Sequence, residues 1–172
     1  PKTPPQEVAT VIAVECEGDS LELKPFKTAY DAGKKEIFLA AANFQAHASS
    51  VKTLSLYYDR DAKAIVNWRN NRGGGATVAW TCEVPEAGEY AVTLDYSLAR
   101  VHAGAPVAVL VDGRKRFEFK TASTGGYDRY QSVPIGTVKL EKGRQDFALA
   151  PVKSNDAKVL LMQLRGACLT RR

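Results

Sequence analysis

A strict alternation of apolar and polar side chains runs through residues 78–99, VAWTCEVPEAGEYAVTLDYSLA. Apolar or aromatic residues hold every second position on either side of one interruption: Val78, Trp80, Cys82, Val84, Tyr90, Val92, Leu94 and Tyr96. The interruption, Pro85-Glu86-Ala87-Gly88, has the composition of a tight turn. A period of two predicts half-buried β-strands, so this segment is predicted to form two strands joined as a hairpin.

Similar short segments fill the rest of the chain, and no stretch shows strong helical periodicity. The segment 37–49 contains alanines that suit a helix, but its IFL start favours a strand across the core, and 21–23 suits a short strand or a turn. Asp112-Gly113 is a strong hairpin signal between two strands. The remaining predicted strands are 8–17, 54–58, 64–68, 107–111, 116–119, 130–140, 146–151 and 158–169. This spacing predicts an all-β, antiparallel sandwich.

Length and charge narrow the function classes. The chain has 172 residues and a formal net charge of +5, with scattered basic residues, so neither nucleic acid nor a membrane is an expected partner. The Pro-rich opening has no apolar signal segment, which predicts a linker over 1–10 and one domain over 11–172. Cys82 is expected to be a buried thiol, whereas Cys16 and Cys168 suit either a disulfide or free thiols.

Five segments in order resemble carbohydrate-binding modules of families 6 and 35. They are the central segment and residues 12–17 (IAVECE), 65–70 (IVNWRN), 124–130 (TGGYDRY) and 138–149 (VKLEKGRQDFAL), the last similar to those families' penultimate hairpin. The resemblance implies a jelly-roll sandwich of the galactose-binding type. It also implies a non-catalytic module that binds a polysaccharide or oligosaccharide, tethered to a larger enzyme and secreted or periplasmic.

The same resemblance implies one structural calcium ion between the first and last strands. Glu15 and Glu17 match two glutamates of the families' opening strand, and Gln163 stands near their last-strand aspartate. Two carboxylates and an amide make a weaker site than the family set, because calcium prefers several oxygen ligands.

The families' sugar site lies on loops at one end of the sandwich. By position, Tyr127 replaces a loop tryptophan, and Asn155 approximates an asparagine before the last strand. Aromatic rings stack on sugars and amides hydrogen-bond to hydroxyls, which adds a wider set of candidate contacts: Trp68, Asn70, Asn71 and Tyr130.

Two alternatives stay open. Tyr57 and Tyr58 cannot both face the core, so one is expected on a sheet surface that could bind instead. Loss of the tryptophan and the aspartate also suits a structural or protein-contact module that no longer binds sugar. Catalysis is not expected, because His47 and His102 lack a partnered nucleophile and Asp59 and Asp61 form only a turn pair.

Overall fold

The computed structural model describes residues 29–47, 56–70, 75–152 and 159–172. Within them, twelve strands form two antiparallel sheets, with single-turn 3-10 helices at Ala41–Asn43 and Arg100–His102. The strands are β1 (Ala29–Asp31), β2 (Glu36–Ala40), β3 (Gln45–His47), β4 (Tyr57–Asp59), β5 (Ala64–Asn70), β6 (Thr77–Val84), β7 (Gly88–Leu98), β8 (Pro106–Val111), β9 (Arg114–Lys120), β10 (Gly126–Leu140), β11 (Gly143–Pro151) and β12 (Val159–Arg171). The predicted all-β jelly-roll sandwich is confirmed.

The larger sheet has seven strands arranged around β12. One edge of β12 pairs with β7, which in turn pairs with β10. The other edge pairs with β5 near the start of β12 and with β2 near its end. β4 lies outside β5, and β1 lies outside β2. The smaller sheet runs in the order β3-β6-β11-β8-β9.

The core lies between the two sheets, where the alternating side chains meet. All eight residues of the period-two pattern are at most 2% exposed, which confirms that they share the buried face of their strands. The indole of Trp80 packs near Phe147 with ring centroids 6.4 Å apart, and its Nε1 donates to the Ala40 carbonyl at 2.8 Å. This buried donor is therefore satisfied, as apolar interiors require.

The predicted hairpin of β6 with β7 is wrong. β6 pairs with β3 and β11 in the smaller sheet, and β7 pairs with β10 and β12 in the larger sheet. The turn Pro85–Ala87 therefore arches from one sheet to the other. The hairpin predicted within 138–149 is wrong for the same reason, since β10 and β11 lie in different sheets. Alternation reports which face is buried but not which strand is the neighbour.

The hairpin at Asp112-Gly113 is confirmed. β8 pairs with β9, and both turn residues have positive φ, 50° and 70°. Two central residues with positive φ are typical of a type I′ turn, which suits the twist of paired strands.

The predicted strand at 37–49 is interrupted. β2 belongs to the larger sheet and β3 to the smaller, and the 3-10 turn Ala41–Asn43 joins them. Cys82 is buried as predicted, and Cys168 is a free thiol. The predicted strands 8–17 and 21–23, with Cys16, lie outside the described residues. None of the described helices is long and apolar enough to cross a membrane.

Candidate functional site

A groove of about 420 Å³ lies on the outer face of the larger sheet. Two exposed tyrosines line it, Tyr57 from β4 and Tyr127 from β10, with His102 from the 3-10 helix that follows β7. Tyr57 is 56% exposed and Tyr127 is 41% exposed. Large aromatic side chains this accessible offer ring faces to a ligand.

Tyr127 is held at the start of β10 by the loop before it. Thr124 exchanges hydrogen bonds with Leu98 at the end of β7: the Leu98 amide donates to its Oγ1 at 2.8 Å, and its own amide donates to the Leu98 carbonyl at 3.0 Å. Gly125 has a φ of 100°, a conformation that favours glycine. The hydroxyl of Ser97 donates to the Tyr127 carbonyl at 2.7 Å. The backbone beneath the ring is thus fixed before any ligand arrives.

His102 borders Tyr127 on one side. The two ring centroids are 6.2 Å apart and the planes are inclined by 43°, within the range of aromatic contacts. His102 is half-buried, so this contact limits the orientations of the tyrosine ring.

The floor of the groove comes from β5 and β12. Val66 and Leu160 supply apolar surface, whereas Asn67, Arg69 and Gln163 supply polar groups. None of the described residues that line the groove is an aspartate or a glutamate. A few polar groups on an apolar floor are typical of small-molecule sites, and here they combine donors with acceptors.

A β-bulge shapes this floor. Asn67 has a φ of 56°, and the pairing of β5 with β12 shifts register between Met162 and Leu164. Asparagine tolerates this left-handed conformation better than most residues. The Nε of Arg69 donates to Asn67 Oδ1 at 2.7 Å, so the bulge also orients the guanidinium.

Tyr130 lies beside the groove rather than in it. Its hydroxyl donates to Gln163 Oε1 at 3.1 Å, and the Arg165 guanidinium carbon lies 3.6 Å from the ring centroid. A cation over the ring occupies one of its faces. Tyr130 therefore supports Gln163, and its predicted direct contact with a ligand stays a prediction.

Trp68 and Asn70 do not reach the groove. Trp68 is 0% exposed and its Nε1 donates to the Ala76 carbonyl at 2.7 Å. Asn70 is 3% exposed and its Nδ2 donates to the Val152 carbonyl at 2.7 Å. Both side chains are buried away from the groove, and their predicted roles as ligand contacts stay predictions. The bulge at Asn67 causes the burial of Trp68, because it turns that residue to the core side.

The predicted calcium ligands are only partly described. Gln163 lines the groove and accepts from Tyr130, whereas Glu15 and Glu17 lie outside the described residues, as do Asn71 and Asn155. Among the residues with described positions, no three His, Cys, Asp or Glu side chains gather where they could hold a metal ion. The calcium site stays a prediction.

The acidic turn pair has a structural role. The amides of Asp61 and Ala62 both donate to Asp59 Oδ1 at 2.9 Å, which closes the turn between β4 and β5. An aspartate that caps a turn in this way is common in loops.

Sequence reasoning missed part of the groove. It placed one of Tyr57 and Tyr58 on the surface, and Tyr57 is indeed exposed while Tyr58 packs against the core. It did not bring Tyr57 together with Tyr127, and it gave no binding role to Arg69 or His102. These residues converge only through strand order, for which the sequence contains no local signal.

Solved structures with the same fold are known. No protein-family model matches the sequence, and a search of curated proteins found no match. A family 35 carbohydrate-binding module from Clostridium thermocellum superposes with a TM-score of 0.60 at 15% identity, over 77% of this chain and 97% of that one. The exo-beta-1,3-galactanase of Phanerochaete chrysosporium gives a TM-score of 0.59 at 19% identity, over 78% of this chain and 29% of the enzyme.

A third structure, the GH26-CBM35 beta-(1,4)-mannanase of Podospora anserina, gives a TM-score of 0.54 at 14% identity, over 80% of this chain and 28% of the enzyme. This chain thus spans nearly all of the isolated module and less than a third of either enzyme. At such identities the likeness concerns the fold. The chain has the antiparallel β-sandwich fold of family 35 carbohydrate-binding modules.

Proposed function

We propose that this chain is a non-catalytic carbohydrate-binding module that holds a polysaccharide in the groove on the larger sheet. The observation that carries the proposal is the exposed ring of Tyr127, fixed by its backbone and by His102 at the edge of that groove. The apolar C–H face of a pyranose stacks on such a ring, and burying that face removes apolar surface from water.

The polar groups of the groove suit the rim of a sugar. Arg69 offers hydrogen-bond donors, and Gln163 offers both a donor and an acceptor at fixed positions. Hydroxyl groups both donate and accept, so such a mixed set can satisfy several of them. Specific sites combine a few polar groups of this kind with an apolar surface.

The module is proposed to act by proximity. Structures with this fold include domains of a galactanase and a mannanase, which supports attachment to a larger, secreted enzyme. A tethered binding domain raises the effective concentration of its enzyme at a polysaccharide. A calcium ion held by Glu15, Glu17 and Gln163 belongs to the same proposal, as a structural element.

Affinity electrophoresis against a panel of soluble polysaccharides tests the proposal. We expect one polysaccharide to retard the wild-type protein, and Tyr127→Ala to weaken this binding by about tenfold or more. Tyr30→Ala is the matched control, because Tyr30 is 40% exposed and does not line the groove. Its retardation should equal that of the wild type.

Absence of retardation by every polysaccharide would contradict the proposal and favour the structural or protein-contact module. Equal retardation of wild type and Tyr127→Ala would move the sugar site elsewhere on the molecule. Thermal unfolding with and without a chelator tests the calcium ion, since its removal should lower the thermal midpoint of unfolding if the ion is structural.

A further inference from the structure

We infer that the groove holds a chain segment several sugars long, which lies across the strands from Tyr127 to Tyr57, rather than a single terminal sugar. This inference rests on the proposed function. It adds Tyr57 as a second aromatic platform and states the length of the ligand that the site requires.

The two tyrosines stand at opposite ends of one row of residues that crosses the sheet. Tyr57 pairs with Val66, and the bulge after Val66 faces Gln163. Gln163 pairs with Ser97, whose hydroxyl bonds to the Tyr127 carbonyl. Directly paired residues of antiparallel strands point to the same face. Tyr57, Val66, Gln163 and Tyr127 all line the one groove, so the row lies on one surface.

The row spans five strands, in the order β4-β5-β12-β7-β10. Neighbouring strands lie about 4.8 Å apart, so the four intervals amount to about 19 Å between the outer strands. This span is longer than one hexose, whereas a chain of several sugars can extend from the strand of one tyrosine to the strand of the other.

The surface between the tyrosines is suited to the middle of that chain. Leu160 and Val66 give it apolar area, and Arg69 and Gln163 give it polar groups. Both end residues are exposed, Tyr57 even more than Tyr127, so both rings are accessible to a chain that lies across the row.

Calorimetric titration with oligosaccharides of increasing length tests the inference. The ligands are fragments of the polysaccharide that retards the protein, from the monosaccharide to the hexasaccharide. We expect affinity to rise with length and then level off. Tyr57→Ala should reduce hexasaccharide affinity by about tenfold while sparing the monosaccharide, and Tyr127→Ala should weaken both.

Two control variants distinguish the loss of the aromatic ring from a disturbance of the fold. Tyr57→Phe retains the ring and should restore hexasaccharide affinity, and Tyr30→Ala should behave as wild type. A monosaccharide that binds as tightly as the hexasaccharide would overturn the inference, as would unchanged hexasaccharide affinity in Tyr57→Ala. Either result leaves the proposed function standing if Tyr127→Ala still loses binding. If the wild type binds none of the polysaccharides, both proposals fail.

Discussion

Burial in the core changes the pKa of the Cys82 thiol. Its thiol is 2% exposed on β6, and burial raises its pKa from 9.0 to about 12, with smaller contributions from Asp146, Asp112 and Glu83. Burial penalises the thiolate because an apolar interior cannot solvate its charge. The thiol is therefore expected to be inert while the protein is folded.

A pH-dependent stability follows from this shift. The unfolded chain releases the Cys82 proton near pH 9.0 and the folded chain only near 12. The contribution of the protonated thiol to the free energy of unfolding is therefore fully present below pH 9.0 and falls as the pH rises between these two values. The fall attributable to Cys82 is about 1.4 kcal/mol per pH unit. Chemical denaturation of wild type and Cys82→Val from pH 7 to 10 measures it, and parallel curves for the two proteins would contradict it.

The alternation of side-chain faces along β5 explains why the burial of Trp68 is hard to predict. Ile65 and Trp68 are both fully buried although three positions separate them, and a regular strand would place them on opposite faces. The bulge at Asn67 absorbs the difference. An asparagine in a strand pattern is a weak signal for a bulge, so the sequence could not predict the burial of Trp68.

At the scale of elements, Gly166 allows the central strand to pack against β2. A Cβ added to Gly166 would lie 2.6 Å from the Leu39 carbonyl oxygen and 3.2 Å from the ring of Phe38. The backbone oxygen cannot move without disturbing the β2–β12 pairing. We expect Gly166→Ala to lower the free energy of unfolding by about 1 to 3 kcal/mol.

Thermal and urea denaturation check this prediction. Gly33→Ala is the control, because an added Cβ there would meet only Asp31 Oδ1, at an ordinary 3.4 Å. If both variants unfold like the wild type, the close approach of β12 to β2 is not as described.

The arch between β6 and β7 has its own hydrogen bond. The hydroxyl of the buried Tyr90 donates to the Glu86 carbonyl at 2.7 Å, and Arg171 forms an ion pair with the Glu86 carboxylate. We expect Tyr90→Phe to cost about 1 kcal/mol of stability, measured by urea denaturation. Tyr58→Phe is the control, because the Tyr58 hydroxyl makes no hydrogen bond in the described part of the chain. Equal stability of both variants would count against this role of Tyr90.

The arches and hairpins show what strand patterns can predict. At Asp112-Gly113 the turn itself demands positive φ at two residues, which selects a paired hairpin. At Pro85–Ala87 no residue selects pairing over arching, because the strands on both sides bury one face in either case. The sequence therefore predicts that these strands form and which of their faces is buried, but not which strands pair with them.

For the whole molecule, the sequence was sufficient for the fold but not for the site. Ordered motifs and period-two strands predicted the sandwich that the structure and its likeness to family 35 modules show. The groove depends on the order β4-β5-β12-β7-β10, which joins residues far apart in the chain. No local pattern encodes that order, so Tyr57, Arg69 and His102 could not be assigned to one site in advance.

The position of the sugar on the larger sheet is tested most directly by a heteronuclear NMR titration of the full chain. The titrant is an oligosaccharide from the polysaccharide that retards the protein. We predict that amide shift changes cluster along the row from Tyr57 through Gln163 to Tyr127. Changes concentrated on the smaller sheet, around β8 and β9, or no changes at all, would contradict it.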